Sequence, residues 1–241
     1  MRYRLVCLDA GFTLLAPRRT LSEALRGVLA DHGHEVSGEE LHRAWEVADR
    51  WFWDDYHRPA NDTWTDDARI DAAWRQYHAL MLGELGLDDR DGRLIDLILT
   101  AQYAPDSWEL YPDVLPAVTE LRAAGLRLGI ISDWGSNLLP IIEGLGLDAQ
   151  LDFVLASGAE GLSKPDPAFF RLAAARAGVP PGEALMVGDS YRADVEGAQA
   201  VGMDGVLLRR PEWKERREAV PPGTRVVASL AEVPGIVLGA S

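Results

Sequence analysis

Three apolar runs in this chain stop at residues able to do chemistry: LVCL at Asp9, LGII at Ser132 and Asp133, and ALMV at Gly188 and Asp189. Lys164 lies in the connection SKPDPAFF, and Asp194 in GDSYRADVEGA. Alone, each has an ordinary role. An aspartate after a strand is a common turn former or helix cap, Ser132 can cap a helix entering at Asn137, and Lys164 can be a solvated lysine. Asp194 can be an exposed first-turn carboxylate. Together, carboxylates, a hydroxyl and an ammonium at successive strand ends describe one polar ligand site, because open parallel sheets bind ligands beyond the carboxyl ends of their strands, where strand order reverses. Charge narrows the ligand. With 38 Asp and Glu against 24 Lys and Arg, the formal charge is −14, which opposes attraction to nucleic acid or an anionic membrane surface. An anionic substrate therefore needs a local cation, and Lys164 is one of only two lysines, with Lys214.

A sheet must position these groups. Short β-branched or leucine-rich runs at 3–8, 126–131, 153–156, 184–187, 205–208 and 225–228 lack polar alternation, as strands buried on both faces do. Helical patterns lie between them. Asp113 is placed to cap a helix through Leu115, Val118 and Leu121 that stops at Gly125, and Asp166 with Pro167 opens another. Strands alternating with helices predict an α/β fold, a Rossmann-like, doubly wound parallel sheet. Residues 16–108 differ. They read as amphipathic helices over 21–30, 39–52, 66–85 and 93–103 and hold Trp45, Trp51, Trp53, Trp64 and Trp74, which predicts an inserted helical cap domain at the ligand edge. The expected division is 1–15 with 109–241 as the core domain and 16–108 as the cap. Some of its tryptophans pack a small helical core and others can line a cleft.

The single Cys7 excludes an internal disulfide and sits in an apolar strand as a small buried thiol. The opening MRYRLVCLDAG has no signal-type apolar stretch, and no run of about 18 apolar residues occurs. A cytoplasmic protein is expected. The stretch RRPEWKERREAVPPGTRVV reads as a charged, solvated loop before a last edge strand. Oligomeric state has no signature.

LDAGFT, IISD, SKPDPAFF and VGDSYRADVEGAQAVGM resemble, in order and spacing, the four motifs of the haloacid dehalogenase superfamily of aspartate-nucleophile hydrolases. The resemblance covers residues 1–15 and 109–210 and is greatest to the phosphatase-like branch with a cap after the first strand. It implies Asp9 as the nucleophile that forms an aspartyl phosphate, and Mg²⁺ held by Asp9, the Gly11 carbonyl and Asp189, with Asp194 an outer ligand or a partner orienting Lys164. Ser132 and Lys164 would meet the phosphoryl oxygens, Thr13 would serve as a helper hydroxyl, and Asp133 is a candidate substrate contact beside the pocket. Backbone N–H groups of residues 10 to 13 could form an anion-binding nest. The implied substrate is a small phosphorylated metabolite.

One position departs from the pattern. Two residues after the nucleophile the family usually carries a second aspartate, which protonates the leaving group and later activates water; here it is Gly11. Backbone can still supply a metal ligand there, but no proton moves. General acid–base assistance is worth ~10²–10⁴ in rate. A phosphonate-cleaving branch also has a small residue at this place, yet it relies on a cap lysine, and residues 14–110 contain none. The metal-free dehalogenating branch carries serine and asparagine where this chain keeps Gly188 and Asp189. Three accounts of Gly11 stay open: a cap group such as His57, His78 or Tyr56 supplies the proton, the leaving group needs none, or turnover is vestigial. The histidines His32, His34, His42, His57 and His78 all lie in the insertion, where a surface position is the commoner role. A ligand-binding or regulatory protein with the same fold and negligible turnover is the alternative to an enzyme, and a metal-free dehalogenase is the third.

Overall fold

The computed structural model describes residues 2–56, 58, 61–212 and 220–239. A six-stranded parallel sheet forms the centre, in the order β5-β4-β1-β6-β7-β8: β1 is Leu5–Leu8, β4 Arg127–Ser132, β5 Phe153–Ala156, β6 Ala184–Gly188, β7 Asp204–Leu208 and β8 Val226–Val227. The middle strand, β1, pairs Leu5 with both Arg127 and Ala184, and Leu8 with both Ile130 and Val187. From β1 the chain winds outward through β4 and β5, then crosses back to β6 on the other side. Asp9 therefore leaves the sheet where the winding reverses.

Every residue of β1 is buried. Val6 and Leu8 face one apolar layer, shared with Val118 and Leu121 of α5 (Val114–Ala123), Ile141 and Ile142 of α6 (Leu138–Gly144) and Val237 of α10 (Val233–Leu238). Leu5 and Cys7 face the other, with Phe169, Phe170 and Ala173 of α8 (Pro167–Ala177). Both faces are covered, so the strands read as unbroken apolar runs. Asp166 caps α8, accepting from Ala168 N–H at 2.8 Å. Asp113, at the corresponding position of α5, caps nothing with its side chain; its carboxylate accepts instead from Arg210 at 2.9 and 3.1 Å, Ser229 Oγ at 2.6 Å and Leu230 N–H at 2.8 Å. That corrects the capping role expected of it. The competing partner is a buried guanidinium far along the chain, a stronger donor than a helix N–H.

Between β1 and α5 the chain forms α1 (Leu21–Asp31), α2 (Gly38–Tyr56), α3 (Asp67–Glu84) and α4 (Arg93–Tyr103). These helices enclose an apolar cluster of their own, including Leu29, Leu41, Ala48, Met81 and Leu99. A short antiparallel ribbon, β2 (Leu15–Pro17) with β3 (Trp108–Leu110), joins the chain where it leaves and re-enters the sheet region. Strands this short carry too few residues for a periodic signal, and neither was expected. Two small helices complete the fold, α7 (Ser157–Glu160) and α9 (Gly197–Gln199). No helix among the described residues is long and apolar enough to cross a membrane.

Candidate active site

Asp9 follows β1, Ser132 and Asp133 follow β4, and Asp189 follows β6, so parallel pairing brings all of them to one edge. Asp9 and Lys164 are buried there, and Asp194 is inaccessible to solvent. The Lys164 ammonium donates to Asp9 Oδ1 at 2.7 Å and to Asp194 Oδ1 at 2.6 Å, and Ser132 Oγ donates to Asp9 Oδ1 at 3.1 Å. Asp194 is neither exposed nor in a regular first turn. It sits in a π-helical turn, Tyr191–Glu196, whose N–H groups at 194 and 195 both reach the Ser190 carbonyl, and this extra residue per turn aims its carboxylate back at Lys164. Gly188 permits the approach: a Cβ there would lie 2.1 Å from Asp194 Oδ2.

The electrostatics are unbalanced. Burial pushes the Asp194 carboxyl up to about 7, against the pull of Lys164, and Asp9 adds to the rise. Burial pulls the Lys164 ammonium down, but Asp194 and Asp9 outweigh it and hold the group well above its ordinary value. One cation thus faces two carboxylates at bonding distance. Ligand oxygens of Asp9, Asp189 and Asp194 lie within 4.8 Å of one another, a hard-oxygen set with surplus negative charge that fits a divalent cation such as Mg²⁺.

The turn after Asp9 is tightly made. Leu14 and Leu15 N–H donate to the Ala10 carbonyl, and Phe12 takes a left-handed φ of 57° while its N–H donates to Leu15 O at 2.8 Å. That N–H is committed, so it drops out of the expected anion nest. Thr13 is wholly buried, its hydroxyl has no hydrogen-bond partner, and it is not among the residues that line the cavity. Its carbonyl accepts from Arg210 at 2.7 and 3.2 Å. Arg210 belongs to the segment expected to be solvated; it is buried, with its guanidinium 3.6 Å above the Tyr111 ring. Lys214, like His57, lies outside the described residues.

Gly11 lines the cavity, and its neighbour explains more than its backbone does. A Cβ at position 11 would stand 3.2 Å from Trp134 Cζ3, closer than ordinary van der Waals contact. The Trp134 ring, itself packed edge-to-face on Trp108 at 4.7 Å, occupies the side on which an acidic side chain would project. Asp133 accepts from Lys164 N–H at 2.8 Å and from Tyr56 OH of α2 at 3.1 Å. It is half-buried and lines the cavity, and desolvation pushes it up to about 6 although Lys164 opposes the rise. Ser136 adds a second tie to the helical segment, donating through N–H at 2.9 Å and Oγ at 2.6 Å to Asp67 of α3.

Above this edge opens a cavity of about 580 Å³ that reaches from Asp9, Ser132 and Lys164 up between α1, α2, α3 and α4. Phe52, Trp53, Tyr56, Trp64, Trp74 and Tyr77 line it and contact one another in stacked and edge-on pairs. His78 also faces this lining. Its Nε2 lies 2.8 Å from Gln102 Oε1, and burial lowers its pKa.

A family model described as haloacid dehalogenase-like hydrolase matches residues 3–202. The chain belongs to the haloacid dehalogenase-like hydrolases. The human haloacid dehalogenase-like hydrolase domain-containing protein 3 is 31% identical over 245 aligned residues, covering 97% of this chain and 93% of the human one. A phosphoserine phosphatase of Thermus thermophilus is 38% identical over 115 residues, 47% of this chain and 46% of that protein. Among solved structures, a HAD phosphatase from Thermococcus onnurineus superimposes with a TM-score of 0.64 at 25% identity over 99% of both chains. L-2-haloacid dehalogenase from Xanthobacter autotrophicus gives 0.73 at 23% identity over 99% of this chain and 100% of its own, a likeness of fold alone.

Proposed function

We propose that the protein is a Mg²⁺-dependent phosphatase of a small phosphorylated substrate, with Asp9 as nucleophile. One observation carries this reading: a single buried ammonium shared by Asp9 and Asp194, with Asp189 close by, at the end of a ligand-sized cavity. Similarity to phosphatases, among them the Thermus enzyme, supports it. Attack by a carboxylate on a phosphate dianion brings two anions together, so catalysis consists of positioning and neutralisation. Ser132 and Lys164 hold the Asp9 carboxylate and present a hydroxyl and an ammonium to the phosphoryl oxygens. Asp9, the Gly11 carbonyl and Asp189 would hold the Mg²⁺, with Asp194 behind them; bound there, the ion supplies Lewis-acid charge to the transferring group. Residues 16–108 act as a cap that selects substrate and excludes water, tied to the core through Tyr56–Asp133 and Asp67–Ser136.

A second reading, a binding protein without turnover, draws on Gly11 and the tryptophan beside it. Hydrolysis of p-nitrophenyl phosphate and acetyl phosphate, with Mg²⁺ or with EDTA, in wild type and Asp9→Asn, separates the two. Cleavage that needs both metal and Asp9 is expected; equal background in every sample would leave the binding reading.

A further inference from the structure

We infer that the ester cleaved here is the phosphate of an aromatic hydroxyl group, an aryl phosphate, and not that of an aliphatic alcohol; this rests on the phosphatase reading above. Two independent features point the same way. The first is chemical. With Gly11 at the acid position and Trp134 filling the adjoining space, no side chain at position 11 delivers a proton to the leaving oxygen. Asp9 Oδ attacks phosphorus, the P–O(leaving group) bond breaks, and its electron pair departs on oxygen. An alkoxide, whose parent alcohol has a pKa near that of water, ~15.7, leaves poorly unprotonated. A phenolate, with a parent pKa of ~10, leaves as the anion. Water then attacks phosphorus, the P–O(Asp9) bond breaks, and dihydrogen phosphate is released; one of its protons goes to the phenolate. The sum is aryl phosphate plus water giving phenol and hydrogen phosphate.

The second feature is the shape and chemistry of the space next to the leaving group. A cavity of about 580 Å³ walled by Phe52, Trp53, Trp64 and Trp74 suits a flat ring system, which stacks on such walls, far better than a short polyol that would strip its hydroxyls of water against them.

Four compounds test this on the Mg²⁺-loaded full-length protein: 2-naphthyl phosphate (aromatic, good leaving group), 2-(2-naphthyl)ethyl phosphate (aromatic, poor), acetyl phosphate (small, good) and glycerol 3-phosphate (small, poor), each with Asp9→Asn as control. Naphthyl phosphate should exceed naphthylethyl phosphate at least about 10²-fold in kcat/KM, the low end of what a general acid contributes. Naphthylethyl phosphate should still compete for the site with a Ki close to the KM of naphthyl phosphate, and acetyl phosphate should turn over with a KM at least tenfold higher. Comparable turnover of the two naphthyl compounds, or of glycerol 3-phosphate, overturns the inference. Cleavage of acetyl phosphate without binding of either naphthyl compound overturns it while leaving the phosphatase reading intact. If none of the four is cleaved in an Asp9-dependent way, both fall.

Discussion

Lys164 and Arg210 are both buried among carboxylates, and the two clusters are built on opposite terms. Arg210 spends its planar fork on one acid, Asp113, and on the Thr13 carbonyl, stacks on Tyr111, and leaves a charge-neutral unit further closed by Ser229 and Leu230 N–H. Lys164, a compact point charge, is divided between Asp9 and Asp194 with Asp189 close by, at the foot of a cavity. A satisfied bidentate pair has nothing left to bind. An ammonium outnumbered by acids still needs positive charge, and that deficit is what the proposed metal and phosphoryl transition state would exploit. The neutral cluster braces the turn that carries Asp9; in the proposed reaction the unbalanced one does the chemistry.

The widest separation of the two should come from removing one charged group on each side, an acid from the unbalanced cluster and the cation from the neutral one. Asp9→Asn is expected to lower phosphatase activity by several orders of magnitude, as loss of a nucleophile does, while the thermal midpoint holds or rises because surplus negative charge has gone. Arg210→Met should do the reverse in stability, costing roughly 3–5 kcal/mol by stranding Asp113, or about 2–4 °C in Tm per kcal/mol for a chain of this size. Urea melts of both variants check the pair. A destabilised Asp9→Asn beside an unaffected Arg210→Met would invert the comparison.

Metal addition comes next in size. Mg²⁺ at about 100 times its Kd should stabilise wild type by ~2.7 kcal/mol, and Asp189→Asn should lose most of that gain while Arg210→Met keeps it. Scanning calorimetry with Mg²⁺ and with EDTA would show it, and equal shifts in all three proteins would place the ion somewhere else.

Gly11 offers a sharper cut inside the unbalanced cluster. Gly11→Asp alone should yield little turnover of alkyl phosphates, because the new Cβ meets Trp134 at 3.2 Å. Gly11→Asp with Trp134→Ala makes room for the acid and should raise kcat/KM for glycerol 3-phosphate by about 10²-fold or more. If the single variant does as well as the double, Trp134 is not the obstacle.

Much of this was legible in the chain. Strands buried on both faces announce themselves as unbroken apolar runs, and residues placed at their carboxyl ends must share an edge, so Asp9, Ser132 and Asp189 could be grouped before any fold was known. Lys164 and Asp194 joined them through spacing that resembles the family. What stayed hidden depends on partners far apart in sequence. Arg210 looked solvated because its acid, Asp113, lies 97 residues away, and Asp113 looked like a cap because local rules favour that role. The complementarity of Gly11 and Trp134 exists only once the turn after β1 and the loop after β4 face each other. The π-helical turn that buries Asp194 leaves no periodic trace, although Gly188, where any side chain would strike that carboxylate, was a signal available in retrospect.

Acid titration gives the smallest and most specific contrast. Burial raises the Asp113 pKa, but hydrogen bonds from Arg210, Ser229 and Leu230 N–H outweigh it and hold the group below its ordinary value. A carboxyl depressed on folding contributes stability that is fully present above its unfolded pKa, ~3.9, and is lost as pH falls through the lower folded value. Wild type should therefore lose this contribution below about pH 4. In Arg210→Met the depression is relieved, so the variant starts less stable and loses less over the same interval, and the two curves of unfolding free energy against pH converge toward the acid end. Parallel curves between pH 5 and 3 would mean that Arg210 braces the nucleophile turn through the Thr13 carbonyl and Tyr111 alone, and that the neutral cluster owes its stability to packing more than to charge.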